Sequence, residues 1–218
     1  MTVRESEAPA PEAPPAGPDE RRWSLFSAAR EVAFLVGMAL VIAVVVKTFV
    51  AQAFYIPSGS MLPQLQIDDR VVVSKISYRL HDPHRGDIVV FDAPGGGDPE
   101  ETRPLPERAV RGLAESIGVM APSTDEYIKR VIALPGERVE GLHGKVLIDG
   151  RELIEPYLPS GTFTSDFPAL IVPPGDLFVM GDNRGNSADS RVFGPIPQST
   201  MVGRAIMRVW PPDHTSFL

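Results

Sequence analysis

The sequence predicts a mainly β chain: an antiparallel β-sheet domain with a smaller inserted region, preceded by one transmembrane helix. Three observations lead there. An uncharged apolar run from Val32 to Val46 stands near the N-terminus. Beyond residue 54, short apolar or alternating segments recur between clusters of Pro, Gly and Asp, which is how strands and turns are punctuated. The pair Asp149-Gly150 separates "KVLI" from "RELI", a specific signal for a two-residue hairpin turn. At 218 residues the chain can hold one sizeable core, or one domain with a smaller subdomain.

Taken in order, residues 1–30 are expected as a disordered cytoplasmic tail and an interfacial flank. "MTVRESEAPAPEAPPAGPDE" is rich in Pro, Ala and acid and lacks apolar periodicity. In "RRWSLFSAAR", arginines are interspersed with Trp23, Leu25 and Phe26. Residues 31–53 are expected as the anchor. With Lys47 snorkelling outward, the twenty residues from Val32 to Ala51 span about 30 Å as a helix, enough to cross a bilayer once. Arginines cluster before this segment and only Lys47 stands at its far end, so the positive-inside rule puts the N-terminus in the cytoplasm and residues 54–218 outside. Ala51-Gln52-Ala53 also resembles the small-residue site of a cleaved signal. The tail before the run is long for a signal's n-region, and the run outlasts the usual ~7 to 15 residues of an h-region.

In the remainder, strands are expected in "RVVVSKISY" (70–78), "DIVVF" (87–91), "YIKRVIAL" (127–134), "KVLIDG" (145–150), "LFVMGD" (177–182) and "VGRAIMRVW" (202–210). Two excursions interrupt them. Residues 93–126 open as a Gly- and Pro-rich loop and include a candidate amphipathic helix, "ERAVRGLAESIGVM" (107–120). Residues 140–175 contain the hairpin and a Pro-rich loop.

Composition excludes several classes of function. The net charge of −7 gives no basic footprint, so nucleic acid is not an expected partner. With no cysteine there is no thiolate nucleophile, disulfide or Cys-rich zinc site. The four histidines, His81, His84, His143 and His214, have no metal-ligand spacing, and neither a metal nor a cofactor is expected. Seventeen of the twenty-one basic residues are arginine. Arginine stays protonated, so a basic side chain acting as a proton acceptor would have to be Lys47, Lys75, Lys129 or Lys145.

Three stretches carry candidate chemistry. "IPSGSMLP" (56–63) sets two serines around a glycine; it reads as a turn, or as a nucleophile that needs a base from elsewhere. It has neither the G-x-S-x-G elbow nor the S-x-x-K pattern. In "EYIKRVIALPGE" (126–137), strand alternation puts Lys129 beside Tyr127, Val131 and Ala133, with Arg130 on the other face among Ile128 and Ile132. A lysine among apolar neighbours sheds its proton more readily; to act near neutral pH it must fall about 2 to 3 units from its usual value. Of the four lysines, Lys129 has the context that suits this best. In "MGDNRGNSADSRVFGPIP" (180–197), the Gly, Asp, Asn and Ser side chains make a polar loop, with Asp182, Asp189 and Arg191 available for ion pairs.

In this order, "IPSGSMLPQLQIDDRVVVSK", "RGDIVVF", "YIKRVIALPGE", "GDNRGNSADSR" and "VGRA", behind an anchor, resemble bacterial type I signal peptidase, also called leader peptidase. The resemblance implies a membrane-anchored Ser/Lys dyad endopeptidase of the cell membrane, which cleaves signal-peptide-bearing preproteins after small residues at the first and third positions before the cut. It implies Ser60 as nucleophile and Lys129 as general base. Ser58 and the backbone N–H of Ser60 become the oxyanion hole, Ser187 the group that orients the lysine, and Asp189 with Arg191 a supporting ion pair. Phe54, Ile56 and Met61 near the serines, with Leu65, Tyr127 and Ile128 opposite, would form shallow apolar pockets for substrate. Exposed Phe54 and Met61 would also touch the lipid bilayer. The sequence departs from the family at Gly185, where an acidic residue is common.

Overall fold

The structure, a computed structural model, describes residues 18–94 and 126–218. The candidate helix at 107–120 and residues 1–17 lie outside the described residues. The chain divides into a helical unit through Val46 and a β unit from Lys47 to Leu218.

In the first unit, α1 runs from Pro18 to Val45. Its 28 residues extend about 42 Å at helical rise. It starts within the stretch read as tail and flank. The window Ala28–Val45 is long and apolar enough to cross a membrane and none of it is buried; Phe34 and Val41 are 69% and 64% exposed. A π-helical turn, Val46–Val50, follows, and β1 (Ala51–Tyr55) begins at once. The end of the expected 31–53 anchor is therefore strand. Ala51 to Tyr55 pair residue for residue with Ser74 to Arg70 of β2 (Arg70–Ser74), which satisfies the backbone of both segments.

The β unit holds two antiparallel sheets. The larger has the order β1-β2-β11-β3-β4-β9-β10, with β12 paired to β11. Its further strands are β3 (Ile88–Asp92), β4 (Glu126–Ala133), β9 (Asp176–Met180), β10 (Ile196–Pro197), β11 (Met201–Trp210) and β12 (Ser216–Phe217). The smaller has the order β7-β6-β5-β8, built from β5 (Arg138–Leu142), β6 (Lys145–Ile148), β7 (Arg151–Glu152) and β8 (Phe167–Ile171). The excursion at 140–175 is thus most of a second sheet. The expected turn joins β6 to β7, with Asp149 and Gly150 at φ 51° and 77°. His143 and Gly144, at φ 52° and 80°, make the same kind of turn between β5 and β6. Positive φ at both positions matches the strand twist.

The expected strand 70–78 stops at Ser74, and a short helix α2 (Ser77–Leu80) follows. The Ser77 hydroxyl donates to Ser74 Oγ at 2.8 Å where the chain turns. β4 is central and carries Lys129. Val89 faces Lys129 across the β3 ladder, whereas pairing with β9 begins only at Arg130, opposite Met180. A register shift between Val131 and Ala133 breaks strict alternation, so that Ile132 and Ala133 both enter the core between the two sheets. Beyond β9 the chain leaves the ladder, and Asp182 bonds Arg130 while Asn183 bonds Ser60 O.

Candidate active site

Two elements bring Ser60 and Lys129 together. After β1 the chain turns through a 3₁₀ segment, Gly59–Met61, whose Met61 is wholly buried with Phe54, Ile56, Leu65, Val71 and Ile128. That apolar anchor fixes the turn. β4 supplies the lysine from the middle of the sheet. Lys129 Nζ lies 2.9 Å from Ser60 Oγ and donates to Ile128 O at 2.8 Å. Lys129 is 4% exposed and Ser60 8%. Burial lowers the lysine pKa from 10.5 to about 8, against a smaller opposing pull from the Asp189 carboxylate. Nζ also lies 5.3 Å from the centre of the Tyr127 ring, on the strand face alternation assigns to both.

Ser58 is exposed, with its Oγ 3.5 Å from Ser60 Oγ. Ser187 Oγ is buried and has no hydrogen-bond partner. The bond to Lys129 that the resemblance implies is absent here, since Nζ is engaged by Ser60 and Ile128. Ser187 Oγ nevertheless crowds the same spot as the Ser60 carbonyl. A methyl group on Gly181 would lie 2.3 Å from that hydroxyl and 2.4 Å from Ser60 O. Asp189 is fully buried. It accepts Arg191 Nε at 2.8 Å, Arg191 Nη2 at 2.7 Å and the Gly181 N–H at 3.0 Å. Asp189 also caps α3 (Ser190–Phe193) by accepting the Arg191 N–H.

Phe54, Ile56, Met61, Leu65 and Ile128 belong to one buried cluster, and Tyr127 is half-buried beside Phe91 and Phe193. The expectation that Phe54 and Met61 are exposed to lipid is corrected: they are 5% and 0% exposed. Phe54 points inward from β1 by strand alternation, and Met61 anchors the 3₁₀ turn. Gly185 is exposed, with open space where a side chain would begin.

The sequence reading missed several residues around the dyad. The Asn183 N–H donates to Ser60 O, and its amide Nδ2 to Gly59 O, each at 3.0 Å. Arg130, buried beside Lys129 in the chain, grips Asp182 through Nε and Nη2 at 2.8 and 2.6 Å. Arg184, 3% exposed, pairs with Glu155 from the connection between β7 and β8. For Asn183 and Arg184 the signal was the polar density of 180–197. Glu155 lies far away in sequence and had none. Among the described residues no group of His, Asp or Glu is arranged to hold a metal ion.

The sequence pattern of the family "Signal peptidase, peptidase S26" matches residues 29–210. A signal peptidase I of Leptolyngbya laminosa is 40% identical over 95% of this chain and 92% of its own length. A probable signal peptidase I-1 of a Synechocystis is 43% identical over 81% of this chain and 80% of its own. A crystal structure of a signal peptidase I from Enterococcus faecalis matches with a TM-score of 0.40 at 30% identity, over 57% of this chain and 97% of that one.

Proposed function

Since the chain belongs to the signal peptidase family, peptidase S26, and is a serine endopeptidase that cleaves signal peptides, we propose that Ser60 is its nucleophile and Lys129 its general base. The observation that carries this reading is the 2.9 Å approach of Nζ to Ser60 Oγ, with the lysine 4% exposed. That distance is within reach for direct proton transfer.

With Nζ neutral, its lone pair takes the Ser60 hydroxyl proton as Oγ attacks the scissile carbonyl carbon. The oxyanion that forms is held by the Ser60 N–H and the Ser58 hydroxyl. Ser58 is free to rotate toward it, being exposed and only loosely placed against Ser60. The Lys129 ammonium then gives its proton to the departing amide nitrogen, so the C–N bond breaks and an acyl ester on Ser60 remains. Water, deprotonated by the same amine, attacks the ester carbon; the C–Oγ bond then breaks, the ammonium returns its proton to Oγ, and the new carboxyl terminus leaves. The lysine must gain and give up one proton in each half-reaction, which a group with a pKa about 8 can do. Ser187, with a buried and unpaired hydroxyl beside Ser60 O, is the uncharged partner for Nζ when Ser60 turns to the substrate. A carboxylate there would hold the proton on. The Asp189–Arg191 pair neutralises the charge behind it.

Phe54, Ile56, Met61, Leu65 and Ile128 make one apolar cluster behind Ser60, and Tyr127 packs against a second one with Phe91. On this reading, apolar surface over that buried cluster takes Ala at the first and third positions before the cut and rejects bulk. α1 is the single membrane anchor, with the N-terminus cytoplasmic and the β unit outside, where signal peptides emerge. The test is cleavage of a preprotein by the full chain in detergent. Ser60→Ala and Lys129→Ala should each abolish it. Lys129→Arg should fail too, because guanidinium keeps its proton; turnover by that variant would remove the lysine from the mechanism.

A further inference from the structure

The connection from β7 to β8 belongs to the second sheet, yet two of its side chains end at the dyad's supports. The Glu155 carboxylate accepts Arg184 Nη1 at 2.9 Å and pairs with Arg184 Nη2 as well. Burial, the largest single influence, works against the charge on Arg184, and the Glu155 carboxylate together with Tyr157 and Asp182 outweighs it, so the guanidinium is held protonated with its pKa raised. Arg184 then donates Nε to Gly181 O at 3.1 Å and Nη1 to Thr164 Oγ1 at 3.0 Å. The Tyr157 hydroxyl donates to Glu155 Oε1 at 2.7 Å. Its ring lies 3.9 Å from the guanidinium carbon of Arg130, close enough for a cation–π contact.

Arg130 and Arg184 occupy matching places. Arg130 follows Lys129 in β4 and holds Asp182. Arg184 follows Asn183, which holds the carbonyls of Gly59 and Ser60. Glu155 and Tyr157, bonded to one another, therefore touch one support of the base and one support of the nucleophile. We propose that Glu155 and Tyr157 are positioning residues, a clamp from the second sheet that sets the separation of Lys129 Nζ and Ser60 Oγ. The proposal rests on the reading of Ser60 and Lys129 as the dyad. It gives the second sheet a part in catalysis without contact to substrate. Its leverage comes from distance: proton transfer needs the two atoms within hydrogen-bond reach, and a displacement near 1 Å lowers a rate about 100-fold.

The test uses the full chain in detergent, a peptide spanning a cleavage site, and single-turnover rates beside steady-state constants. Glu155→Gln keeps the shape and removes the charge; Tyr157→Phe keeps the ring under Arg130 and removes only the donor. For Glu155→Gln we expect kcat to fall about 10- to 100-fold with KM within twofold, and the acid limb of the pH profile to stay where it is, since Lys129 keeps its own surroundings. Combined with Asn183→Ala, the loss should be much smaller than the product of the two single losses, because both act through the Ser60 backbone. Should Glu155→Gln fail to fold with Arg184 left uncompensated, Tyr157→Phe carries the test, with about a 3- to 10-fold loss in kcat and the same coupling to Asn183→Ala. Full kcat in folded variants with only a lower melting temperature overturns the clamp, as do losses that multiply independently. Ser60→Ala and Lys129→Ala in the same assay separate the two readings. If they are inactive while the clamp variants turn over normally, only the clamp fails; if they still cleave, the dyad itself is wrong.

Discussion

An amine that is 4% exposed has lost most of its hydration, and the folded protein answers by binding its proton less tightly. Between about pH 8 and 10.5 the unfolded chain holds a proton at Lys129 that the folded chain has released. Stability therefore rises with pH across that window, and the penalty is present in full below pH 8. We expect Lys129→Met to be inactive yet more stable than the parent at pH 7, by about 2 to 3 kcal/mol. The gap should shrink as pH approaches 10.5, and thermal unfolding of both in detergent across that range measures it. Activity carries the opposite signature of the same proton. The acid limb of kcat/KM should bend near pH 8, where the amine becomes neutral. Asp189→Asn should move it to lower pH, because the Asp189 carboxylate is the group that raises this pKa; an unmoved limb would assign it to another group. At this scale the sequence singled out Lys129 by context, as one of only four lysines, whereas Ser60, one of fifteen serines, was legible only through the resemblance its motif carries. It was silent on Glu155 and Tyr157, since common residue types in a connecting segment acquire meaning only through what folding sets beside them.

The elements that were legible are those whose signal is local. The Asp149-Gly150 turn and the apolar strands β2, β3, β4, β6, β9 and β11 follow from turn chemistry and periodicity. β5 and β8 were missed for identifiable reasons. β8 contains Pro168, which demotes a strand to an edge, and an edge strand of the small sheet is what it is. β5 contains Gly141, a weak strand former, retained because a methyl there would lie 2.4 Å from the Phe167 ring. Sheet order, with β11 between β2 and β3, has no local signal because pairing joins residues far apart in sequence. The loop from Gly181 to Asp189 shows how an element constrains the site. At Gly181 an added methyl meets the backbone oxygen of Ser60 and not merely a flexible side-chain tip. Gly181→Ala should displace the nucleophile, lowering kcat at least 100-fold and stability by about 1 to 3 kcal/mol. Gly185→Ala, four positions on in open space, should change neither. Equal effects at the two positions would mean that close approach to Ser60 is not what Gly181 provides.

At the scale of the whole molecule, α1 and the β unit solve different problems. Every strand of the two sheets finds its partner at or beyond Ala51, so the folded unit does not draw on α1 for a ladder. The Ala28–Val45 stretch leaves its apolar side chains uncovered, an arrangement suited to lipid. The proposed orientation, with the N-terminus in the cytoplasm, follows from the positive-inside rule, because arginines at 21, 22 and 30 stand on the N-terminal side of the uncharged run that starts at Val32. Because the chain has no cysteine, a single introduced thiol reports orientation without background. We expect Thr215→Cys, at an exposed position in the β unit, to react with a membrane-impermeant maleimide in sealed right-side-out vesicles. Thr2→Cys should react only after the vesicles are opened. The reverse pattern would put Ser60 on the wrong side of the membrane for emerging signal peptides and would overturn the proposed localisation. Labelling of both thiols in intact vesicles would instead point to a chain that does not span the bilayer at all.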